Sequence, residues 1–151
     1  MKIEEYLETL PENLLSGEDV QLPEKSFREI FKFVNLDEND IFYHLGCGNE
    51  KGIELAMNEF GVKKAVGIDN NSEKIEQAKK NLEERNTKAD LLCQNIEDSV
   101  FSDASVILFW FTDENIINKM MEKFENLKED TKIITIWGPL PECLPDKVDF
   151  P

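Results

Sequence analysis

The chain has 151 residues, of which 32 are acidic and 17 are basic, so its formal net charge is −15. This length suits one domain with its own hydrophobic core. The negative charge makes nucleic acid an unfavourable partner and favours a basic, lysine-rich protein. The three cysteines have neither metal-ligand nor redox spacing, so we expect no metal site and no disulfide framework. Without a signal peptide or an apolar run of about eighteen residues, the chain is expected in the cytoplasm and not in a membrane.

Two amphipathic segments open the chain. Apolar residues repeat at helical spacing from Ile3 to Leu10, and Pro11 ends that segment. Pro23 suits the first position of a second helix, whose stronger apolar face continues to Asn35. The predicted organisation is a single domain over residues 1–151, with a helical segment at 1–36, an α/β core at 37–137 and a proline-rich tail at 138–151.

The centre of the chain has the pattern of a strand, a glycine turn, a helix, a second strand and an acid. The apolar run 41–45 ends at Gly46-Cys47-Gly48, where glycine permits a tight turn and close approach of a ligand to the backbone. Helical spacing follows over 52–60, and a second apolar run ends at Asp69, 21 positions after Gly48. Nucleotide-binding units place the acid that accepts ribose hydroxyls at about this distance. The pattern therefore predicts a βαβ unit that binds a nucleoside.

Glycine spacing alone allows several interpretations. The nicotinamide fingerprint would need glycine where Lys51 stands, and a P-loop would need a Gly-Lys-Ser/Thr sequence that the chain lacks. The sequence Leu45-Gly46-Cys47-Gly48 resembles motif I of the class I S-adenosylmethionine-dependent methyltransferases, and Asp69 then matches their ribose-binding acid. The remaining interpretation is a βαβ unit whose glycines only pack a helix on a strand.

The resemblance extends over residues 22–137 and is greatest to small archaeal protein-lysine methyltransferases, through Leu22-Pro23-Glu24-Lys25 and Gln94-Asn95. It implies a Rossmann-like α/β fold, with a parallel sheet of order 3-2-1-4-5 and helices on both faces. The family normally adds a hairpin of strands six and seven, which this sequence lacks. The remaining strands are expected at 89–94, 106–111 and 133–137, with Asn71 or Ser72 and Thr112 or Asp113 as helix caps.

The resemblance implies that S-adenosylmethionine binds at the carboxyl ends of the strands. Asn95 would lie beside the adenine amine and Ile96 against the ring, while the aromatic end of the fourth strand could wall the site. The cofactor-binding residues that we predict are His44, Gly46, Cys47, Gly48, Asp69, Asn70, Asn95, Ile96 and Phe109. We name no catalytic residue, because the cofactor supplies the reactive methyl group and the protein mainly aligns the acceptor.

Two residues depart from the family's pattern. His44 stands where an acid usually meets the cofactor's amino group, and Glu50 replaces a glycine near the expected position of the cofactor's carboxylate. With an ordinary histidine pKa near 6.5, cofactor affinity should rise between about pH 6 and 8. The alternative is a core histidine whose ring is satisfied by the backbone.

The fourth strand also bears on the methyl acceptor. Relatives that methylate base amino groups have Asp/Asn-Pro-Pro-Tyr/Phe where this chain has Phe109-Trp110-Phe111-Thr112. This difference argues against base amino groups and leaves protein, small-molecule and other nucleic-acid substrates possible. The resemblance to protein-lysine methyltransferases implies transfer to lysine of a protein substrate. Without the hairpin the fifth strand is a sheet edge, and we expect a monomer or weak dimer. The alternative is a degenerate S-adenosylmethionine-binding module or partner subunit without turnover.

Overall fold

The computed structural model describes residues 22–111 and 113–136. Helices and strands alternate along these residues, with one turn of 3-10 helix at Ile96–Asp98. The elements are α1 (Glu24–Phe33), β1 (Ile41–Leu45), α2 (Lys51–Asn58), β2 (Lys64–Asp69), α3 (Ser72–Glu84), β3 (Asp90–Cys93), β4 (Val106–Phe109), α4 (Glu114–Glu125) and β5 (Lys132–Thr135). The predicted first helix, Thr112, Trp137 and the proline-rich tail lie outside the described residues.

The five strands form one parallel sheet in the order β3-β2-β1-β4-β5, which confirms the predicted topology. The central strand is β1, whose last residue, Leu45, lies opposite Ile68 of β2 and Phe109 of β4. The chain proceeds outward from β1 to β3 and then returns to β4 on the other side of β1. The loops that follow β1 and β4 therefore diverge, and in sheets of this kind the ligand crevice lies at that point.

Helices cover both faces of the sheet, as predicted. Helices α1, α2 and α3 pack on one face, where Phe27 and Phe31 of α1 are almost fully buried. Helix α4 packs on the other face through Met120 and Phe124. Because side chains alternate along a strand, β1 directs Phe42 toward the first face and Leu45 toward the second.

The boundaries of several elements differ by one or two residues from the prediction. Strand β4 ends at Phe109 and not at Phe111, and α1 begins at Glu24 with Pro23 as its cap residue. Two predicted side-chain caps are confirmed: Asn71 accepts a hydrogen bond from the backbone of α3, and Asp113 accepts two from the backbone of α4. In the part of the chain described above, no helix is both long and apolar enough to cross a membrane.

Candidate functional site

The turn between β1 and α2 has a backbone that favours glycine. Gly46 and Gly48 have φ angles of 77° and 66°, in the left-handed region that other L residues rarely adopt. The N–H groups of Gly46 and Cys47 both donate to the carbonyl oxygen of Ile68, at 2.7 and 3.0 Å. The turn is thus fixed to the end of β2, beside Asp69.

Asp69 lies in direct contact with this turn. One carboxylate oxygen accepts a hydrogen bond from the backbone N–H of Gly48 at 2.8 Å, and the other accepts one from Asn71 at 2.9 Å. The side chain is half-buried, and an ionised carboxylate has about four acceptor positions. Two backbone donors therefore orient the carboxylate and leave acceptor capacity for hydroxyl groups of a ligand.

The loops after β2 and β3 meet beside Asp69. The side-chain amide of Asn70 donates to the side-chain oxygen of Asn95 at 3.2 Å, and both side chains are exposed. Ile96 follows at the start of the 3-10 turn and is buried. Two of the predicted polar residues are thus brought together at the carboxyl end of the sheet.

Aromatic side chains cover the glycine turn from the β4 side. The rings of Phe109 and Phe111 are stacked with their centroids 5.2 Å apart. Phe109 is buried in the core, whereas Phe111 is half-buried and lies over Gly46, where an added Cβ would be 2.6 Å from the ring. Phe111 therefore covers the glycine turn at the strand end where the sequence predicted an aromatic wall.

The side chain of Cys47 points away from this crevice. The residue is 1% exposed, and its Sγ lies 3.0 Å from the position that a Cβ on Gly67 would occupy. Burial, together with the negative charge of Asp69, raises the pKa of the thiol to about 12. Cys47 therefore stays protonated and can offer a ligand only its backbone.

His44 lies in the aromatic core below α1 and α2. Its ring centroid is 5.7 Å from that of Phe27, edge-on, and 6.3 Å from that of Phe42. The residue is 5% exposed, and its Nδ1 has no hydrogen-bond partner among the described residues. Burial lowers the pKa of the imidazole to about 4. The ring is therefore neutral from pH 6 to 8, and the expectation that its titration changes cofactor affinity in that range is wrong.

Glu50 faces α3 and is compensated there. It is 4% exposed, yet one carboxylate oxygen accepts a hydrogen bond from the side-chain amide of Asn81 at 3.0 Å and lies 3.8 Å from the Arg85 guanidinium. Its charge is thus balanced by α3 and not left unpaired at the glycine turn. Sequence reasoning missed these partners because they are more than 30 positions away and follow no local pattern.

In residues 22–111 and 113–136 the structure contains no group of three or more histidine, cysteine, aspartate or glutamate side chains that could hold a metal ion. The crevice instead combines backbone donors, one oriented carboxylate, two side-chain amides and an aromatic wall.

Comparisons with known proteins agree with this geometry. A family model described as "Methyltransferase domain" matches residues 42–130. A protein-lysine N-methyltransferase of Saccharolobus islandicus (strain REY15A) is 33% identical over 120 residues, which are 77% of this chain and 73% of the relative.

Two solved structures with the same fold are a methyltransferase and a dimethyladenosine transferase. An RNA methyltransferase from Salinibacter ruber, in complex with S-adenosyl-L-homocysteine, matches with a TM-score of 0.72 at 21% identity. The match covers 87% of this chain and 100% of the methyltransferase chain. A dimethyladenosine transferase from Plasmodium falciparum has a TM-score of 0.63 at 18% identity, with 74% of this chain and 40% of its own covered. At these identities the two structures establish the fold alone. The family match and the similarity to the protein-lysine N-methyltransferase show that the chain belongs to the methyltransferase-domain family.

Proposed function

We propose that this protein transfers a methyl group from S-adenosylmethionine to the side-chain amine of lysine in a protein substrate. Its family makes it a methyltransferase. The choice of cofactor is supported by a solved structure of the same fold in complex with S-adenosyl-L-homocysteine, which is what S-adenosylmethionine becomes after methyl transfer. The choice of lysine is supported by the relative of 33% identity, a protein-lysine N-methyltransferase. The alternative of a degenerate binding module is not favoured by the family match.

The contact between Asp69 and Gly48 carries the proposal. Two backbone donors hold the carboxylate beside the glycine turn, so ribose hydroxyls can donate to its remaining acceptor positions. In our proposal Asn70 and Asn95 lie beside the adenine, and Ile96 supplies the apolar surface for its ring. The backbone of the glycine turn would hold the methionine part of the cofactor, because no side chain at Gly48 limits the approach.

In this proposal His44 and Phe109 position the site and do not touch the cofactor. Both were predicted to contact the cofactor, and both are buried at the ends of the two strands that flank the crevice. We expect them to act by fixing the ends of β1 and β4, so that the glycine turn and Phe111 keep their spacing.

Bound S-adenosylmethionine supplies an electrophilic methyl group on its sulfonium, so the protein must mainly align the acceptor nitrogen. A lysine amine attacks only when it is neutral. The half-buried Phe111 gives the crevice an apolar wall, which disfavours the ammonium form and so lowers the pKa of an entering lysine. Long-range electrostatics also favour a basic substrate, because the net charge of −15 attracts a lysine-rich protein. We expect the protein to act as a monomer or weak dimer.

Cofactor binding is tested with Asp69→Asn, which keeps one acceptor oxygen and removes the charge. A charge-assisted hydrogen bond contributes roughly 1.5–3 kcal/mol, so affinity for S-adenosylhomocysteine should fall at least tenfold by calorimetric titration. Asp90→Asn is the matched control, because Asp90 is exposed at the opposite end of the sheet. Thermal unfolding without ligand identifies a variant that is simply unfolded. Equal affinity of the two folded variants would contradict the role of Asp69.

The acceptor is tested with isotope-labelled S-adenosylmethionine and a lysine-rich protein. The same protein with its amines acetylated beforehand is the control, since an amide nitrogen is not nucleophilic and cannot accept the methyl group. We expect label in the unblocked protein and methylated lysine by mass spectrometry. Equal label in the blocked protein, or label in RNA alone, would exclude lysine as the acceptor.

A further inference from the structure

A cavity that is open to solvent lies at the opposite end of the sheet from the glycine turn. Its volume is about 540 Å³, within the range of roughly 300–1,000 Å³ that is typical of small-molecule pockets. Lys64 and Asp90, the first residues of β2 and β3, line it together with residues near the ends of α2 and α3. Asp69 ends β2 at the other side of the sheet. The cavity is therefore separate from the proposed cofactor site.

The lining of this cavity reverses the charge balance of the chain. Acidic residues outnumber basic ones by 32 to 17 in the whole sequence, whereas the lining contains four lysines and two acids. These residues are Lys63, Lys64, Lys79, Lys88, Glu83 and Asp90. Lys64 forms a salt bridge with Asp103 at 3.0 Å. Among the residues whose placement is described, the other three lysines have no salt bridge.

The same cavity also has an apolar part. Met57, Ala65, Leu82 and Ala89 line it, and Ala65 and Leu82 are buried. The lining contains lysine but no arginine. Each lysine ammonium is a compact point charge that can bind phosphate, and several such charges attract a phosphate dianion more strongly than a singly charged carboxylate. We propose that the cavity binds a phosphate ester of metabolite size, with the lysines on the phosphate and the apolar residues against its organic part.

The overall negative charge of the protein does not prevent this binding. At physiological salt the Debye length is about 8 Å, so exposed acids elsewhere on the surface are largely screened. The lysines that line the cavity are the charges nearest to an anion bound there, so they are screened less. Binding should therefore weaken as salt is raised, as expected for an anion held by exposed ammonium groups.

Phenyl phosphate is a suitable probe, because it combines a dianion with an apolar ring and has no nucleoside that could enter the cofactor site. We would titrate it into the full chain, with and without saturating S-adenosylhomocysteine, and follow backbone amides by NMR. We expect shifts at residues 86–90 and none at Gly46 or Gly48, whether or not S-adenosylhomocysteine is present. Benzoate, with the same ring and one carboxylate, should bind at least threefold more weakly. Benzoate binding as tight as phenyl phosphate would refute the phosphate assignment.

Paired substitutions separate a built site from general attraction of anions. Lys79→Gln with Lys88→Gln should weaken phenyl phosphate binding at least tenfold by calorimetry. The control is Lys119→Gln with Lys128→Gln, which makes the same change in charge at exposed positions outside the cavity. The control should change affinity by less than twofold. Equal losses in the two pairs, shifts confined to the glycine turn, or no shifts at all would overturn the proposal, and none of these results depends on methyltransferase activity.

Discussion

The buried imidazole of His44 should make the protein sensitive to acid. Its ring packs against Phe27 and Phe42, and its Nδ1 has no hydrogen-bond partner within the described part of the chain. A proton on this ring would place an unpaired charge in an aromatic core, which is strongly unfavourable. The unfolded chain has no such penalty. Protonation of the unfolded state therefore draws the equilibrium toward unfolding as the pH falls.

The size of this effect follows from the pKa of His44 in the two states. Burial lowers the pKa from 6.5 to about 4 in the folded protein. Because the folded-state pKa is the lower one, stability is unaffected above about pH 6.5 and is lost as the pH falls from there toward 4. Each pH unit in this window costs up to about 1.4 kcal/mol, and the whole window costs about 3 kcal/mol. For a domain of this size that loss corresponds to roughly 6–12 °C in melting temperature.

The assay is urea unfolding of the natural protein and of His44→Leu at pH 7, 6 and 5. Leucine fits the apolar surroundings and does not titrate, so the free energy of unfolding of the variant should fall less over this range. The pKa of Glu59 is lowered by hydrogen bonds from Arg28, so its contribution to the free energy of unfolding is lost in acid. Such contributions are the same in both proteins and cancel in the difference. NMR should give a ring titration midpoint below pH 5. Equal acid losses in the two proteins, or a midpoint near 6.5, would refute the reasoning.

Two further predictions concern the residues at the glycine turn. Gly46→Ala should lower the free energy of unfolding more than Gly61→Ala. Both positions have positive φ angles, 77° and 64°, so the backbone strain is similar. Only at Gly46 would the new methyl group overlap the ring of Phe111. Thermal unfolding of both variants measures this difference, and equal losses would contradict it. Glu50→Gly should lower the free energy of unfolding by about 1–3 kcal/mol, because Asn81 loses its acceptor. Glu50→Gln should lose less in urea unfolding, and an unchanged stability of Glu50→Gly would show that the contact is unimportant.

The sequence predicted the fold and the position of the glycine turn because the relevant signals are local. The apolar run Ile41–Leu45 forms β1 with the predicted boundaries, and the glycines that follow it have the backbone angles that glycine permits. Parallel strands bring their carboxyl ends to one edge of the sheet. The order of strand, glycine turn, helix and strand was therefore enough to place Gly48 and Asp69 at the same edge of the sheet.

The directions and partners of other side chains could not be predicted in this way. Alternation along β1 places His44 and Leu45 on opposite faces, but the sequence does not state which face receives Phe27 of α1. The unbroken apolar run at 106–111 likewise did not distinguish β4 itself from Phe111, which leaves the strand and covers Gly46. Both features depend on packing between segments that are far apart in the chain.

The two departures from the family's pattern are better explained by the fold than by decay of the site. His44 is accommodated as a neutral ring in an aromatic core, and Glu50 is held by Asn81 and Arg85. Neither residue disturbs the hydrogen bond from Gly48 to Asp69, which is 2.8 Å long. His44 thus makes the folded state sensitive to acid while the glycine turn keeps its geometry. A loss of S-adenosylhomocysteine binding below about pH 6 should therefore accompany unfolding and not precede it.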